Sequence, residues 1–336
     1  MRKLVLLAAV FLVSTTFTYA QLTFTSIDYS KGFGTRVRGI NNHGQMVGSY
    51  VDKNGNSHAL LIRNGKFIPL APKTILGTEW SDAYKINDRG EVVGEVCDDV
   101  ACHGFLLHQG VVTTLDFPGA SDTYAFGINN SGTIVGTWDV YDADGNFLYE
   151  QGFTWKDGNF TELTYPGSAD SFPIGGNNVF GIVVGGWDSD PNAISEHGYA
   201  SWMGQFISFD APFQDVALTQ ADGINDLGFI VGQEFTVYEY ENNVGHGFLA
   251  IGTYFTPLDY PGAVMTTAWG INSAGLMVGN WYDSNFGAHG WLAQLGGEGK
   301  QYSTPGQGSV KVPTVRAIPA PGRKLPVPAR MERMSR

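Results

Sequence analysis

Aromatic and acidic residues stand side by side at the ends of several apolar segments. The clearest cases are Trp138-Asp139, Trp187-Asp188 and Trp281-Tyr282-Asp283. Aromatic rings pack against the C–H faces of sugars, and carboxylates accept hydrogen bonds from sugar hydroxyls. This pairing therefore suits saccharide binding. The alternative is that the aromatic rings fill gaps between packed sheets.

A histidine recurs at one place in the same segments. It is found at His58, His103, His197, His246 and His289, and Gln151 takes its place in the remaining copy. Imidazole is a frequent zinc ligand and general acid–base group, so the recurrence could carry chemistry.

Other motifs with known chemistry are incomplete. Asp142-Ala143-Asp144-Gly145 resembles part of a calcium loop, but the first and twelfth ligand positions fall on Val140 and Gln151, so the EF-hand pattern fails. A hairpin turn is preferred there. We expect no cofactor, with structural calcium as the alternative. The chain also lacks Gly-x-Ser-x-Gly, His-Glu-x-x-His and Gly-Lys-Ser/Thr motifs. Catalysis by residues brought together from distant segments stays open.

These residues belong to a sixfold repeat. The pattern Gly-Ile-Asn-Asn-Ser-Gly-Thr-Ile-Val-Gly at Gly127 returns in copies that begin at Gly39, Lys85, Gly127, Gly175, Gly223 and Gly270. A period of about 46 residues is typical of propellers, solenoids or arrays. Each copy divides into four strand-like pieces, because Gly and Pro interrupt the chain every 8 to 12 residues and no helical period persists.

The two ends of the repeat region predict a closed ring. Phe24-Thr25-Ser26-Ile27-Asp28 matches the fourth piece of a repeat, and the last repeat stops after its third piece, His289-Gly290-Trp291-Leu292-Ala293. A strand supplied by the N-terminus would complete the last sheet and remove an exposed sheet edge. We predict an all-β, six-bladed β-propeller over residues 21–297.

Outside this region two segments differ in composition. Residues 1–20 combine Arg2, Lys3, an apolar run and a small-residue junction at Ala20, which predicts a cleaved signal peptide. Residues 298–336 are rich in Pro and Gly and carry 8 basic and 2 acidic residues, so we expect a disordered basic tail. No other stretch is long enough for a membrane span. The chain is therefore expected to be exported, either out of the cell or into the periplasm.

The charge distribution and the two cysteines further limit the kinds of ligand and metal site that we expect. The formal net charge is −12, and no Lys or Arg lies between Asp157 and Gly299, so nucleic-acid binding by that half is not expected. Cys97 and Cys102 are the only cysteines, and a close pair in an exported protein predicts a disulfide. Zinc binding with His103 lacks a fourth ligand. We expect a monomer.

The repeated motifs resemble a known family. Gly-Ile-Asn-Asn-x-Gly-x-Ile-Val-Gly alternates with His-Gly-Phe-Leu and Phe-Thr-x-Leu-Asp-x-Pro-Gly-Ala, as in the extracellular HAF repeat family, which is named after its His-Ala-Phe triplet. Here the triplet reads His58-Ala59-Leu60, His103-Gly104-Phe105, His197-Gly198-Tyr199, His246-Gly247-Phe248 and His289-Gly290-Trp291. The resemblance covers about residues 22–293. It implies an exported bacterial protein without an established enzyme activity.

The ring geometry then assigns roles. Each histidine would begin the third strand of a blade, roughly 10 Å outside the innermost strand. Neighbouring copies are thus too far apart to share a metal that holds its nitrogen ligands at about 2 Å. We expect each imidazole to bond a neighbouring loop or carboxylate. One Asn per repeat should form the turn after the first strand, or a polar ring at the channel mouth. These are Asn41, Asn87, Asn129, Asn177, Asn225 and Asn272.

Two sets of ligand contacts follow. The longer, variable connections share one face, where binding usually resides. There we place Trp138, Asp139, Trp187, Asp188, Trp281 and Asp283. The second set precedes the first-strand Gly and should lie near the channel. It comprises Tyr84, Phe126, Asp222 and Trp269, with Arg38 and Ile174 in the other blades.

Three hypotheses remain. The first is an exported, non-enzymatic propeller that binds a glycan or a surface protein at the variable-loop face. The second is a hydrolase or lyase acting on extracellular polysaccharide, with its acid and base drawn from the acidic loops. The third is a purely structural envelope or matrix protein.

Overall fold

The computed structural model describes residues 22–70, 80–190, 195–236, 239 and 244–294. Their strands form six four-stranded antiparallel sheets arranged as the blades of a ring. The fold is a six-bladed β-propeller, as predicted. The predicted signal peptide and basic tail lie outside the described residues.

In blades 1–5 the strands run in chain order from the central channel outwards. Blade 1 contains β2 (Gly34–Ile40), β3 (Met46–Val51), β4 (Ser57–Arg63) and β5 (Lys66–Pro69). Blade 2 contains β6 (Trp80–Ile86), β7 (Val92–Cys97), β8 (Cys102–His108) and β9 (Val111–Leu115). Blade 3 contains β10 (Asp122–Ile128), β11 (Ile134–Tyr141), β12 (Phe147–Lys156) and β13 (Asn159–Leu163).

The second half repeats this plan. Blade 4 contains β14 (Asp170–Asn177), β15 (Val183–Asp188), β16 (His197–Trp202) and β17 (Gln205–Phe209). Blade 5 contains β18 (Val216–Ile224), β19 (Ile230–Thr236), β20 (His246–Ile251) and β21 (Tyr254–Leu258). Blade 6 contains β22 (Met265–Ile271), β23 (Leu276–Tyr282), β24 (Ala288–Gln294) and, as its outermost strand, β1 (Thr23–Ile27).

The N-terminal strand closes the ring. β1 pairs antiparallel with β24, with Phe24 opposite Ala293 and Ile27 opposite Gly290. Phe24 is buried and packs edge-on against Tyr260 and Trp291. The pairing hides the edge that β24 would otherwise expose.

Strand alternation divides the connections between two faces. The turns after the first and third strands lie on one side, which we call the short-turn face. The connections after the second and fourth strands lie on the other, which we call the long-loop face. On the long-loop side, a disulfide joins Cys97 and Cys102, which pair at the ends of β7 and β8. The predicted disulfide is confirmed.

The Val-Gly motif of each second strand has a steric cause. A Cβ on Gly136 would lie 1.9 Å from the Tyr124 carbonyl oxygen, and the same collision recurs in every blade. The other glycines in this position are Gly48, Gly94, Gly185, Gly232 and Gly279, with Cβ-to-oxygen distances of 1.9–2.1 Å. First strands bulge beside this position, as between Ala125 and Gly127, and only glycine admits such a close approach.

A ring of asparagines locks the blades together at the short-turn face. Each side-chain amide donates to the backbone carbonyl of the equivalent Asn in the next blade, and the sixth returns to the first, at 3.0–3.2 Å. Each Oδ1 also accepts two backbone N–H groups of its own turn, as Asn225 does from Leu227 and Phe229. Turn formation and the polar ring are thus one structure.

One member of the expected ring was wrong. Asn178, not Asn177, occupies the ring in blade 4, because the β14 bulge between Phe172 and Gly176 contains one residue more than the equivalent bulge of blade 3 between Tyr124 and Gly127. Gly176, with a φ of +81°, takes the position that Gly127 has in blade 3. Asn177 instead donates to Thr133 in blade 3.

Candidate functional site

On the long-loop face, four blades contain a hydrogen-bonded histidine and aspartate. The histidine begins the third strand and the aspartate follows the fourth, so antiparallel pairing brings them together. The Nδ1 to Oδ1 distances are 2.6–2.8 Å for His103 and Asp116, His197 and Asp210, His246 and Asp259, and His289 and Asp28. The last pair spans the ring closure. The expectation that the imidazole bonds a carboxylate is confirmed.

The other two blades lack this histidine–aspartate pair. Blade 3 has Gln151 and Thr164 where these four blades have His and Asp, so both partners differ there. In blade 1, His58 bonds Asp52 through Nε2 at 3.0 Å. Among the described residues, the one group of three potential metal ligands within 4.8 Å is Glu95, Cys97 and Cys102, and both sulfurs are in the disulfide.

Blade 5 shows the electrostatics of these pairs most clearly. His246 lies between Asp259 and Glu239, and hydrogen bonds to these two carboxylates raise the pKa of His246 to about 10. The bond to His246 lowers the pKa of Glu239 to about 2. Glu234 occupies the place that Trp187 and Trp281 have in their blades, and burial raises the pKa of Glu234 to about 8. His246 is therefore a cation at neutral pH and pairs with Asp259 and Glu239 rather than abstracting protons.

The predicted tryptophans stack on aromatic rings of the preceding connection. Trp138 is buried against Phe117, and half-buried Trp187 lies 4.1 Å from Tyr165, centroid to centroid. Trp281 lies between Tyr260, at 4.4 Å, and His289, at 4.1 Å. Both of its ring faces are thus covered, and these rings contribute first to packing between connections and blades.

The second predicted set surrounds the channel and fills it. Arg38 stacks between the rings of Tyr84 and Trp269, at 4.9 and 4.5 Å from their centroids. Phe126 packs on Tyr84 at 4.6 Å, and Tyr84 donates to Glu95. These side chains form a packed layer across the channel.

Lys85 completes this packed layer across the channel. It stands where five blades have a first-strand glycine, and its ammonium donates to the backbone carbonyls of Arg38, Asp222 and Trp269 at 3.3, 2.8 and 2.6 Å. Burial lowers the pKa of Lys85 to about 7, and the nearby Asp222 opposes that shift. A cavity of about 70 Å³ lies beside Lys85, lined by Ile40, Ile86, Ile128, Ile224 and Ile271 among others.

Of the ten predicted contacts, six are at least nine-tenths buried. They are Tyr84, Trp138, Asp139, Asp188, Asp222 and Trp269. Burial, with Asp170 nearby, raises the pKa of Asp188 to about 7. Phe126, Trp187, Trp281 and Asp283 are partly exposed. A ligand on the surface can touch this second group without opening the ring.

The surface around Trp281 and Asp283 contains two open aromatic rings that the sequence reasoning missed. Phe286, in the β23–β24 loop, is 53% exposed, and Phe33, before β2, is 77% exposed. The two chain segments meet, because Gly34 lies against Ala288. The sequence signal that could have identified Phe33 and Phe286 was the presence of a large apolar residue in an otherwise polar loop.

The loop that carries Phe286 is firmly shaped. Asp283 Oδ1 accepts backbone N–H groups from Asn285 and Gly287, and these bonds lower the pKa of Asp283. Phe286 has a φ of +59°, which is unfavourable for an aromatic residue. The fold therefore holds Phe286 outward at a cost in backbone strain.

A polar cluster lies in the same blade. His289 bonds Asp28 through Nδ1 at 2.6 Å, and its Nε2 lies 3.7 Å from Asp283. Trp281 stacks on the imidazole and donates to Ser26. We call Phe33, Phe286, Trp281, His289, Asp28 and Asp283 the blade 6 rim. It combines open rings with anionic acceptors, which suits a ligand that is apolar on one face and hydroxylated at its edges.

Comparisons with known proteins assign the chain to no family. No protein-family model matches the chain, and no curated protein matches it. Among solved structures, the six-bladed propeller lectin of Aleuria aurantia, described with a fucose recognition mode, is similar at a TM-score of 0.47 and 12% identity, covering 89% of this chain and 95% of that one. AofleA of Arthrobotrys oligospora is similar at 0.47 and 10%, covering 91% and 92%. At this level the similarities carry no argument about ligands.

The class of protein is thus defined by its own geometry, a six-bladed β-propeller closed by its N-terminal strand. No helix among the described residues is long and apolar enough to cross a membrane.

Proposed function

We propose that this protein is an exported, non-enzymatic binding module that holds a glycan on its long-loop face, at the blade 6 rim. The observation that carries the proposal is that Phe33 and Phe286, two exposed rings, lie on chain segments that meet next to the Asp28–His289–Asp283 cluster. Sugar C–H faces would pack on the rings, and hydroxyls would bond the carboxylates.

Two features support a binding role over catalysis. Among the described residues, burial raises the pKa of three carboxyl groups, Asp188, Glu196 and Glu234, and all three are more than nine-tenths buried. Acid–base work on a polysaccharide needs such groups within hydrogen-bond reach of the substrate. On the rim, the pKa of Asp283 is lowered, so this group is an ionised acceptor.

We also propose that the chain is exported and that it belongs to the HAF repeat family. The signal-like residues 1–20 and the disulfide between Cys97 and Cys102 support passage into an oxidising compartment. The ordered recurrence of three motifs supports membership of the HAF repeat family. N-terminal sequencing of the secreted product tests the first point, with Gln21 expected as the first residue.

Glycan-array binding by the chain from Gln21 to Arg336, followed by calorimetry on the best ligand, tests the ligand class. We expect binding without release of reducing ends. Phe33→Ser and Phe286→Asn should each weaken affinity about tenfold, equivalent to about 1.4 kcal/mol. Asn is chosen at position 286 because it tolerates a positive φ.

Val100→Ser is the matched control, because Val100 is 92% exposed in the equivalent loop of blade 2. It should leave affinity unchanged. Equal loss with Val100→Ser, or retained affinity in both phenylalanine variants, would remove the blade 6 rim from consideration. Release of reducing ends would replace binding with hydrolysis or elimination, and an array without any hit would favour a protein ligand or a structural role.

A further inference from the structure

The short-turn face is chemically divided. Among the described residues, eight of the fourteen exposed large apolar side chains lie on blades 4 and 5, in or near the turns of this face. We call them the apolar sector, which comprises Val179, Phe180, Trp202, Met203, Ile207, Leu227, Ile251 and Tyr254. Single exposed apolar residues are ordinary, whereas a cluster of this kind marks an interaction surface.

Equivalent positions in blades 1–3 are polar or basic. The third residue of the turn after the first strand is Phe180 in blade 4 and Leu227 in blade 5. The same turn position is His43 in blade 1, Arg89 in blade 2 and Ser131 in blade 3. In the turn after the third strand, Trp202 of blade 4 corresponds to Arg63, His108 and Lys156. The repeat architecture therefore does not require apolar residues here.

The apolar sector is continuous between its two blades. Asn178 in the turn of blade 4 donates to Asn225 in the turn of blade 5, and Val179 N–H donates to Asp226 at 3.1 Å. Phe180 and Leu227 are the next residues along these bonded turns. Trp202 and Tyr254 lie at the outer turns of the same two blades.

The chain itself supplies an occupant. β24 ends at Gln294, which pairs with Leu276 at the short-turn end of blade 6, beside blade 5. Residues 295–336 continue from this point, and 42 residues at about 3.3 Å each greatly exceed the separation of about 10 Å between neighbouring sheets. The tail therefore begins on the face, and next to the blade, where the apolar sector lies.

The composition and charge of residues 295–336 also suit the apolar sector and its surroundings. Residues 157–294, which contain the last part of blade 3 and blades 4–6 except for β1, contain no Lys or Arg, and two of their acidic residues, Asp157 and Asp226, lie in turns of the short-turn face. Residues 295–336 carry eight basic and two acidic residues, with Val310, Val312, Val315, Ile318 and Leu325 between prolines. Pro-rich segments with few conformations to lose bind aromatic-lined surfaces well. Trp202, Tyr254 and Phe180 offer such rings.

We propose that residues 300–330 of this chain dock on the apolar sector of blades 4 and 5, so that the tail covers the short-turn face of its own propeller. Apolar tail residues contact the exposed rings, and basic tail residues pair with the carboxylates of Asp157 and Asp226 on the same face. Tethering makes the contact intramolecular, at an effective concentration in the millimolar range.

Limited trypsin digestion of the chain from Gln21 to Arg336 tests the proposal. Trypsin cuts after Lys and Arg, and residues 157–299 contain neither, so cuts after Lys311, Arg316 and Arg323 report on the tail alone. We expect these cuts to be about tenfold slower than in a synthetic peptide of residues 298–336, because cleavage follows the undocked population. Equal rates would overturn the proposal.

Substitutions in the apolar sector test whether the tail binds there. The double variant Met203→Asp with Leu227→Asp should return tail cleavage to the peptide rate. Met203 has a φ of +51°, which Asp tolerates, so its change should not unfold the turn. The control is Gln109→Asp, at a φ of +50° in the equivalent turn of blade 2, and it should leave protection intact.

Two other results would count against the proposal. Protection that survives the double variant places the tail elsewhere. Protection that falls on tenfold dilution assigns the apolar sector to a second copy of the chain. Circular dichroism of each variant confirms that the ring is folded before digestion is interpreted.

Discussion

The asparagine ring makes a sharp prediction at Asn225, whose side chain is 4% exposed. Its Oδ1 accepts N–H groups from Leu227 at 3.0 Å and Phe229 at 2.9 Å, and its Nδ2 donates to the Asn272 carbonyl at 3.0 Å. Asn225→Ala removes three bonds of about 1 kcal/mol each and leaves their buried partners unsatisfied. We expect a loss of about 3–5 kcal/mol in unfolding free energy, independent of pH between 4.5 and 8.

Asn225→Asp separates the inter-blade bond from the turn bonds. The carboxylate keeps both N–H acceptor contacts but places an oxygen against the Asn272 carbonyl oxygen. Burial beside that oxygen raises the pKa of the introduced carboxyl. Its folded pKa then exceeds its unfolded pKa of about 3.9, so stability is retained below the unfolded pKa and lost as pH rises through the folded one.

Urea unfolding at pH 4.5 and pH 8 measures this difference. At pH 4.5 the protonated group donates to Asn272, and the loss should stay near 1 kcal/mol. At pH 8 the loss should reach about 3 kcal/mol, as for an uncompensated buried charge. Asn54→Asp, at an exposed turn, is the control and should change little at either pH. A flat pH response for Asn225→Asp would refute the donor role of Nδ2.

Three further outcomes are expected. Replacing Cys97 and Cys102 by Ser should lower the unfolding free energy by about 2 kcal/mol, because the loop they close is short, and a free-thiol assay without reductant should find none in the parent chain. Phe24→Ala should cost about 3–5 kcal/mol and promote association through the edge of β24, measured by urea unfolding and light scattering, and a smaller cost would argue against closure by β1. Because the pKa of Asp188 is raised to about 7 in the folded state, its contribution to stability is lost as pH rises from about 4 through 7, so Asp188→Asn should flatten that decline in melting temperature.

Much of the architecture was readable from repetition. Six copies at a regular period predict six units, and Gly and Pro spacing predicts four strands in each. The match between Phe24–Asp28 and the fourth pieces predicts closure, and β1 pairs with β24 as expected. The His and Asp motifs fall in consecutive strands of one hairpin, so their contact also follows from strand pairing.

The candidate site was less accessible to sequence reasoning. Trp138, Trp187 and Trp281 looked like ligand platforms, but Phe117, Tyr165 and Tyr260 from the preceding connections stack on them. Which ring faces remain open depends on the path of a neighbouring connection, and a motif within one repeat does not contain that path. Phe33 and Phe286 were overlooked for the same reason, since they lie in loops outside the repeated motifs.

By itself, the sequence determined the number of blades, the order of strands and the closing segment, because these depend on local alternation and on spacing along the chain. Only the tertiary structure decided that Asn178 replaces Asn177 in the ring, that Lys85 bonds carbonyls of three other blades, and that blades 4 and 5 share an apolar surface. These features arise where different blades meet. Their geometry depends on bulges and side-chain packing across the ring, which the period of a repeat does not specify.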